Sequence, residues 1–407
     1  MKVLLVSERF PPVWGGSRMY YYEVARRFPP AEMKVVTKRV DGHAEFDARE
    51  KFPIVRRFEV WDTADYRTLL TKYPGYMAYL TGELLRTGAD LVHSGDVYPA
   101  GIFSVVWSRV FGVPYIYWSH GEDHTLLAAS RFRKHVLSLV CRQADLVVAN
   151  SRFTADLLRR SGVREDRIRL VTPGVDIERF SRPVETADLR ARYGLEGKRA
   201  ILTVARFSPR KGYDTGLRAL RILRDKHPDV VYLMVGKGED KPRIQGLVGE
   251  LGLEGRVRWA EDVPLDDLVR HYALCDVFLL ANRADRDQHG QVDVEGFGMV
   301  FLEAGCQAKP VVGGRSGGTV DAVEHGETGF LCDPESPEDF ARALDELLSD
   351  PTLVRRMGEA GKTRALRDFG WDLKADEIRR LSTEVVRARR PRLAYRALRA
   401  LWSGTGS

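Results

Sequence analysis

Short apolar runs alternate with amphipathic stretches along almost the whole chain, and this alternation limits the fold more than any other feature. Segments of helical length, such as 17–28 and 97–111, separate the runs. In the first half the runs are VLLVS (3–7), KVVT (34–37), DLVHS (90–94), YIYW (115–118) and DLVVAN (145–150). Continuous apolar runs are typical of strands buried on both faces of a parallel sheet. We therefore predict an α/β protein with doubly wound parallel sheets.

The alternation stops once, near the middle of the chain. Residues 169–189, RLVTPGVDIERFSRPVETADL, contain two prolines and no periodicity, which favours a linker. The runs then resume at 200–207, 230–236, 257–260, 276–282, 310–314 and 329–332. Because 407 residues exceed what one hydrophobic core usually serves, we expect two domains.

The predicted domain boundaries follow from this break. They are an N-terminal domain over 1–172, a linker over 173–189, a second domain over 190–371 and a basic C-terminal segment over 372–407. Doubly wound sheets bind ligands at the carboxyl ends of their strands, so we expect a ligand cleft between the domains there.

The charge of the chain is unevenly distributed. Residues 1–180 carry a net charge of +6 (27 Lys and Arg, 21 Asp and Glu) and residues 374–407 also carry +6 (9 against 3), whereas 181–373 carry −5. The two basic regions indicate a surface that faces something anionic. A nucleic-acid-binding protein would also be basic, but no known nucleic-acid-binding module is present.

The N-terminus and the cysteines give little sign of export. MKVLLVSERF has too short an apolar run for a signal segment, and no later run is long enough to span a bilayer. The four cysteines are widely spaced, which favours buried free thiols over a disulfide framework or a zinc site. We therefore expect an intracellular protein.

Two loops that follow strands carry features suited to an anion. After the first strand, Gly15 and Gly16 precede Ser17, which we predict as the N-cap of a helix whose N-terminus would favour an anion. A simple tight turn would explain the same residues. In ARFSPRKGYD, Arg206 and Lys211 form a cation pair suited to a diphosphate, although an exposed loop would also carry basic residues.

The stretch DVEGFGMVFLEAG places two acids in an otherwise apolar segment. If a helix begins near Gly298, the N–H groups of Phe297, Gly298 and Met299 would be unpaired donors for a phosphate. At 1.5 Å per residue, Glu295 and Glu303 would lie about 12 Å apart and be rotated by roughly 80°. We expect Glu295 to accept hydrogen bonds from sugar hydroxyls and Glu303 to bind ribose hydroxyls, one at each end of a nucleotide-sugar.

Together these motifs resemble a known family. The Glu-x7-Glu arrangement, the cations of ARFSPRKG, the PPVWGG loop and the TPGVD segment are similar to the retaining glycosyltransferases of family 4, which have the GT-B fold. The resemblance runs from Lys2 to about Trp371. DVEGFGMVFLEA and KPVVGGRSGGTVDAV most resemble the branch with the GDP-mannose-dependent phosphatidylinositol mannosyltransferases.

The resemblance implies roles for individual residues. Arg206 and Lys211 would neutralise the leaving diphosphate in place of a metal ion, so neither a metal nor a cofactor is expected. Gly16 would face the diphosphate across the cleft. The residues from Gly296 to Met299 would line the sugar, and His120 of YWSHGED would support the positive charge that develops at the anomeric carbon.

The implied reaction is hexosyl transfer from a nucleotide-sugar, with GDP-mannose favoured, to a hydroxyl of a lipid-linked or glycan acceptor. Related sequences use UDP-glucose or UDP-GlcNAc, and a GT-B phosphorylase or a nucleotide-sugar sensor would share the motifs. The C-terminal run RRLSTEVVRARRPRLAYRALRALW has eight arginines against one glutamate. Such a surface suits an anionic membrane, so we expect a cytoplasmic protein, peripheral at the inner face of the plasma membrane, without a nucleic-acid partner.

Overall fold

A computed structural model describes residues 1–58, 71–126, 130–286 and 292–403. The chain divides into two compact units. The first contains Met1–Thr172 and Trp371–Ser407, and the second contains Pro173–Gly370. Each unit has its own parallel sheet and its own buried core.

The first unit contains a parallel sheet that, in the described ranges, has seven strands in the order β3-β2-β1-β4-β5-β6-β7. The strands are β1 (Val3–Val6), β2 (Met33–Lys38), β3 (Ile54–Phe58), β4 (Leu91–Ser94), β5 (Tyr115–Ser119), β6 (Leu146–Ala149) and β7 (Ile168–Leu170). All residues of β1, β4, β5 and β6 are buried, which confirms the reading of continuous apolar runs as doubly covered strands.

Helices cover this sheet and include both C-terminal helices of the chain. They are α1 (Gly16–Ala25), α2 (His43–Ala48), α3 (Tyr73–Thr87), α4 (Ile102–Val110), α5 (Glu122–Leu126), α6 (Arg131–Gln143), α7 (Arg152–Arg160), α17 (Trp371–Ala388) and α18 (Leu393–Ser403). Helix α17 packs against α1 and β4, where His93 Nε2 lies 3.0 Å from Ser382 Oγ. Helix α18 packs against α3 and inserts Tyr395, which is fully buried.

One predicted helix start was wrong by two residues. Helix α1 begins at Gly16 with Gly15 as the N-cap, so Ser17 lies inside the helix and makes no capping hydrogen bond.

The second unit contains a parallel sheet that, within the described part of the chain, has six strands in the order β10-β9-β8-β11-β14-β15. These strands are β8 (Arg199–Val204), β9 (Val230–Val235), β10 (Val257–Ala260), β11 (Val277–Leu280), β14 (Val311–Gly314) and β15 (Gly329–Cys332). Each coincides with a predicted apolar run, although β8 begins one residue earlier than its run. A short antiparallel pair, β12 (Asp285–Arg286) and β13 (Val292–Asp293), stands apart from this sheet.

The helices of the second unit surround its sheet. They are α8 (Ile177–Phe180), α9 (Ala187–Tyr193), α10 (Tyr213–Leu223), α11 (Lys241–Glu250), α12 (Leu265–Leu274), α13 (Met299–Cys306), α14 (Thr319–Ala322), α15 (Pro337–Ser349) and α16 (Pro351–Asp368). The prediction that 169–189 is an irregular linker was wrong in part, because it holds the end of β7, all of α8 and the start of α9. Phe180 of α8 is buried in the core of the second unit, which explains why this stretch is ordered.

All four cysteines are buried free thiols, as expected. Among the helices in the described ranges, none combines the length and the apolar character needed to cross a bilayer.

Candidate functional site

The strand order of the second unit fixes where a ligand site can form. Strands β8 and β11 are neighbours although three helices and two strands separate them along the chain, so the direction in which strands are added reverses between them. The loops that follow two such strands run in opposite directions, which opens a crevice at the carboxyl ends of the strands. The loop after β8 contains Arg206 and Lys211, and the segment after β11 leads to Glu295 and α13.

A cluster of two cations and two acids lies at this crevice. Lys211 Nζ is 2.5 Å from Glu295 Oε2, and Arg210 Nη1 is 2.9 Å from the same oxygen. Arg210 also contacts Asp293, with Nε 2.7 Å from Oδ2. The side chains of Lys211 and Glu295 are only 12% and 13% exposed, so the pair is largely removed from water.

Burial and pairing act in opposite directions on Glu295. Burial alone would raise its pKa, but the ammonium of Lys211 and the guanidinium of Arg210 outweigh burial and hold the pKa of Glu295 at about 2. Burial lowers the pKa of Lys211, and Glu295 offsets part of that effect. Glu295 is therefore ionised at neutral pH.

The two cations predicted from ARFSPRKG differ in their surroundings. The side chain of Lys211 is largely shielded from water, whereas Arg206 is exposed and has no ion-pair partner within the described ranges. The cation that joins Lys211 at Glu295 is instead Arg210, which we did not predict as a site residue. The sequence of this loop alone does not indicate which of its basic side chains reach Glu295.

The N-terminus of α13 adds backbone donors beside Glu295. The helix begins at Met299, after Gly298 in the left-handed conformation (φ 94°), close to the predicted start. In the part of the chain that the structure describes, the N–H groups of Phe297, Gly298 and Met299 have no hydrogen-bond acceptor. These donors point to an anion site.

Gly317 and Gly318 pack against the backbone of the loop that contains Glu295 and Gly296. The N–H of Gly318 donates to the carbonyl of Glu295 at 2.8 Å. A Cβ on Gly318 would lie 2.0 Å from the carbonyl oxygen of Gly296, and a Cβ on Gly317 would lie 2.2 Å from that of Glu295. Only glycine allows this close approach.

Glu303 lies on α13 in a different environment from Glu295. Tyr272 donates a hydrogen bond of 2.5 Å to Glu303 Oε2, and burial raises the pKa of Glu303 to about 7. The predicted spacing of about 12 Å assumed one continuous helix through both acids. That assumption was wrong, because Glu295 precedes the helix and only Glu303 belongs to it.

In the first unit, His120 follows β5 and is held by an aromatic neighbour. Its Nε2 lies 2.8 Å from the hydroxyl of Tyr21, and that hydroxyl donates to the carbonyl of Gly95. The Tyr21 oxygen therefore accepts a hydrogen bond from the Nε2–H group, which leaves the lone pair of the ring on Nδ1. Burial, with a smaller effect of Arg9, lowers the pKa of His120 to about 3, so the ring is neutral.

A charged cluster surrounds His120 at the carboxyl ends of β1, β4 and β5. Asp96 accepts hydrogen bonds from the Ser7 hydroxyl and the Glu8 N–H, both at 2.7 Å, and Arg9 Nη1 lies 2.8 Å from Glu122. Burial raises the pKa of Asp96, although Arg9 acts against it.

Asp123 belongs to the same edge of the sheet. It accepts a hydrogen bond from Tyr117 at 2.8 Å, and burial raises the pKa of Asp123 to about 6 despite the nearby charge of Arg9. A carboxyl group that titrates near neutral pH is a candidate for proton exchange.

The predicted glycine loop lies at this edge as well. Gly15 and Gly16 are exposed at the start of α1, and Arg18 in the first turn of α1 is half-buried. Burial and the neighbouring charge of Arg9 lower the pKa of Arg18. In the described residues Arg18 has no ion-pair partner, so an anionic ligand would relieve this repulsion.

Two family models match the chain. The model described as Glycosyltransferase Family 4 matches residues 14–179, and the model described as Glycosyl transferases group 1 matches residues 185–364. The chain belongs to the family 4 glycosyltransferases. It is therefore an enzyme of the hexosyltransferase class, in agreement with the motifs in its sequence.

Relatives of this glycosyltransferase span most of its length. It is 29% identical over 386 residues to a GDP-mannose-dependent alpha-(1-6)-phosphatidylinositol monomannoside mannosyltransferase of Mycolicibacterium smegmatis, covering 93% of this chain and 97% of the relative. It is also 29% identical over 392 residues to a D-inositol 3-phosphate glycosyltransferase of Streptomyces scabiei, covering 89% and 84% of the two chains.

Solved structures confirm the GT-B fold of the glycosyltransferase. HepE from Anabaena, in complex with UDP, superposes with a TM-score of 0.80 at 21% identity and covers 94% of this chain and 100% of that chain. Sucrose-phosphate synthase from Thermosynechococcus elongatus gives 0.78 at 22% identity, with coverage of 95% and 99%.

Sequence reasoning missed several charged residues of this glycosyltransferase. Arg210, Arg18, Asp96 and Asp123 each lie just beyond the carboxyl end of a parallel strand or in the first turn of the helix that follows. That position is itself a signal, because ligands of doubly wound sheets bind at this edge. Applied to every strand, the rule would have found the two aspartates.

Proposed function

We propose that the enzyme is a retaining glycosyltransferase that moves mannose from GDP-mannose to a hydroxyl of a lipid-linked or glycan acceptor. The observation that carries this proposal is the largely shielded cation pair of Lys211 and Arg210 beside the open N-terminus of α13, at the crevice of the second unit. GDP-mannose is favoured because the mycobacterial relative, similar over 93% of the chain, is named for that donor.

The cation pair suits the leaving group. Breaking the anomeric bond leaves a nucleoside diphosphate with additional negative charge, and fixed cations with backbone N–H donors stabilise that charge as it develops. Lys211, Arg210 and Arg206 would bind the diphosphate together with the N–H groups of Phe297 to Met299. This arrangement supplies the charge that a metal ion would otherwise provide, so we propose transfer without a metal ion or a cofactor.

Glu295 is oriented to hold the sugar. Lys211 and Arg210 both contact its Oε2, and within the described ranges its Oε1 has no hydrogen-bond partner. An ionised carboxylate with one free oxygen can accept hydrogen bonds from two sugar hydroxyls. The two cations thus pair with Glu295 before the donor binds, and they would pair with the diphosphate afterwards.

The proposed chemical step is a front-face displacement. The acceptor oxygen forms a bond to the anomeric carbon as the bond from that carbon to the phosphate oxygen breaks, and the acceptor proton passes to the departing phosphate. The configuration at the anomeric carbon is retained. His120 suits this chemistry because its neutral imidazole would cause no charge repulsion with an oxocarbenium-like carbon.

The acceptor side of the proposal draws on the first unit. Both kinds of relative are named for substrates with a phosphorylated inositol, and the half-buried guanidinium of Arg18 suits a phosphoryl group. Exposed Leu393 and Leu401 stand among arginines on α18, which supports peripheral contact with an anionic membrane.

A panel of nucleotide-sugars tests the donor. Thermal shift and slow hydrolysis are measured for GDP-mannose, UDP-glucose and UDP-GlcNAc, and GDP-mannose is expected to give the largest effect in both. A larger effect of a UDP-sugar would overturn the choice of donor. A shift without hydrolysis would favour a sensor, and phosphate-dependent release of a sugar phosphate would favour a phosphorylase.

Metal independence has its own test. Hydrolysis of the best donor is measured with and without EDTA, and the two rates should agree because protein cations neutralise the diphosphate. Loss of activity in EDTA that added magnesium restores would contradict this part of the proposal.

A further inference from the structure

A second cationic region lies on the first unit, at the opposite edge of the sheet from His120. His120 follows the carboxyl end of β5, whereas this region surrounds Asp145, which immediately precedes the amino end of β6. Parallel strands place all their amino ends at one edge, so the length of the strands separates the two regions. None of the roles proposed above uses this edge.

The region is a concavity of about 700 Å³, and six of its thirteen lining residues are arginines. Its charged lining contains a single carboxylate, Asp145. The arginines that line it are Arg109, Arg142, Arg164, Arg167, Arg389 and Arg392.

Two of these arginines are fixed in place by the fold. Arg389 places Nη1 2.9 Å from Asp145 Oδ1 and donates from Nη2 to the carbonyl of Ser108 at 3.0 Å. Arg167 donates to the carbonyls of Arg142 and Ala144, which end helix α6, both at 3.1 Å. The wall of the cavity is therefore cationic before any ligand arrives.

Most of this positive charge is not neutralised within the protein. Asp145 is occupied by Arg389 and by the N–H of Tyr115, at 3.0 Å from Oδ2. In the described part of the chain Arg109 and Arg142 have no ion-pair partner, and Arg392 contacts only a carbonyl. Of the lining arginines other than Arg389, only Arg164 has a carboxylate partner there, Asp166.

Like charges that converge in a cavity repel one another unless a counter-charge binds. Guanidinium groups bind phosphoryl oxygens through paired hydrogen bonds. Several guanidinium groups around one concavity therefore suit a ligand that carries several phosphoryl oxygens. We propose that this cavity binds a phosphoryl-bearing anion at a site separate from the donor site. The ligand is either a free phosphorylated compound or the headgroup of a phospholipid.

Binding of inorganic pyrophosphate tests the site by calorimetry. The variant is Arg109→Gln/Arg142→Gln, because both side chains are exposed and their removal leaves the packing intact. The matched control is Arg355→Gln/Arg356→Gln, which removes the same charge from exposed positions on α16. Lys211→Ala identifies the separate contribution of pyrophosphate bound at the donor site.

Wild type and control should bind pyrophosphate at two classes of site. In the cavity variant, the affinity of one of these classes should be at least about tenfold weaker. Lys211→Ala should keep that class, so the result does not depend on the proposed reaction. A parallel assay measures binding to phosphatidylcholine vesicles with and without phosphatidic acid. Weaker binding of the cavity variant only to the phosphatidic acid vesicles would assign the ligand to a lipid headgroup. Equal behaviour of variant and control in both assays would overturn the proposal.

Discussion

Glu295 and Lys211 show how one buried ion pair can prepare a site for a ligand. Removing either partner of a buried pair usually costs several kcal/mol, because the remaining charge loses its compensation. Here Lys211 shares Glu295 with Arg210, so loss of the lysine leaves the carboxylate with one cation. The stability of the site and its capacity to bind a diphosphate can therefore be separated by mutation.

Lys211→Ala and Arg206→Ala are expected to affect turnover alike and stability differently. Each should lower turnover by about 10²- to 10³-fold, because each removes a charge from the developing diphosphate. Only Lys211→Ala should lower the free energy of unfolding, since Arg206 is exposed and within the described ranges has no ion-pair partner. Single-turnover kinetics and denaturant titration measure the two effects. Near-normal turnover in both variants would remove the assigned roles.

The titration of Glu303 should appear in nucleotide binding. Burial raises its pKa from the ordinary 4.5 to about 7, with Tyr272 and, more weakly, Arg179 acting in the opposite direction. In the free enzyme this group's contribution to stability falls as the pH rises from about 4.5 towards 7, because the folded state binds the extra proton. Ribose hydroxyls favour the carboxylate, so nucleotide affinity should rise as the pH increases through about 7.

Calorimetry across this pH range measures that rise, and Glu303→Gln should flatten it. An affinity of the wild type that is independent of pH, or a variant with an unchanged profile, would show that Glu303 does not meet the nucleotide.

At the scale of elements, most strands were predictable because their burial is continuous. Every residue of β1, β4, β5 and β6 is buried, and so is every residue of β9, β11 and β14 in the second unit. Strand β3 was missed because IVRRF includes Arg56 and Arg57, and Arg56 is buried because it pairs with Asp47 and donates to the carbonyls of Lys38 and Pro11. Strand β7 was missed because only Ile168 of its three residues is buried. The pattern of apolar residues reveals strands that are buried by apolar side chains. It does not reveal charged side chains that are buried because they are paired.

The start of α13 depends on a single glycine. Gly298 has φ 94°, and a Cβ there would lie 2.7 Å from the ring of Phe301, which is buried against Phe278. Gly298→Ala should lower the free energy of unfolding by about 1–2 kcal/mol from the left-handed backbone alone. The contact with Phe301 should add to this loss and weaken nucleotide binding, because the N–H groups of the helix start would shift.

Gly326→Ala is the matched control for this substitution. Gly326 has a similar positive φ of 82°, but a Cβ there would meet nothing within 4 Å. Denaturant titration and nucleotide binding should thus show a larger loss for Gly298→Ala in both measurements. Equal losses in the two variants would mean that the helix start tolerates the added methyl group.

At the scale of the whole molecule, the two units have separate hydrophobic cores. The core of the first unit includes Tyr395 from α18, whose hydroxyl donates to the carbonyls of Leu84 and Ala89. The second unit has core clusters of its own, one of which contains Phe340 of α15. A substitution in one core should therefore act first on its own unit.

Tyr395→Ala should lower the unfolding temperature of the first unit, and Phe340→Ala that of the second. Loss of a buried aromatic ring costs about 3–5 kcal/mol, which is enough to separate transitions that overlap in the wild type. Differential scanning calorimetry measures both, with nucleotide added to mark the transition of the second unit. A single transition that shifts equally in both variants would contradict independent cores.

The first unit is assembled from both ends of the chain, and this has a consequence for synthesis. Helices α17 and α18, which cover β4 and α3, leave the ribosome only after the complete second unit has been made. Until then the nascent first unit exposes the apolar surface that Ile378, Leu381 and Tyr395 later bury. We expect chaperones to engage this surface during translation, and release from them to coincide with arrival of the last two helices.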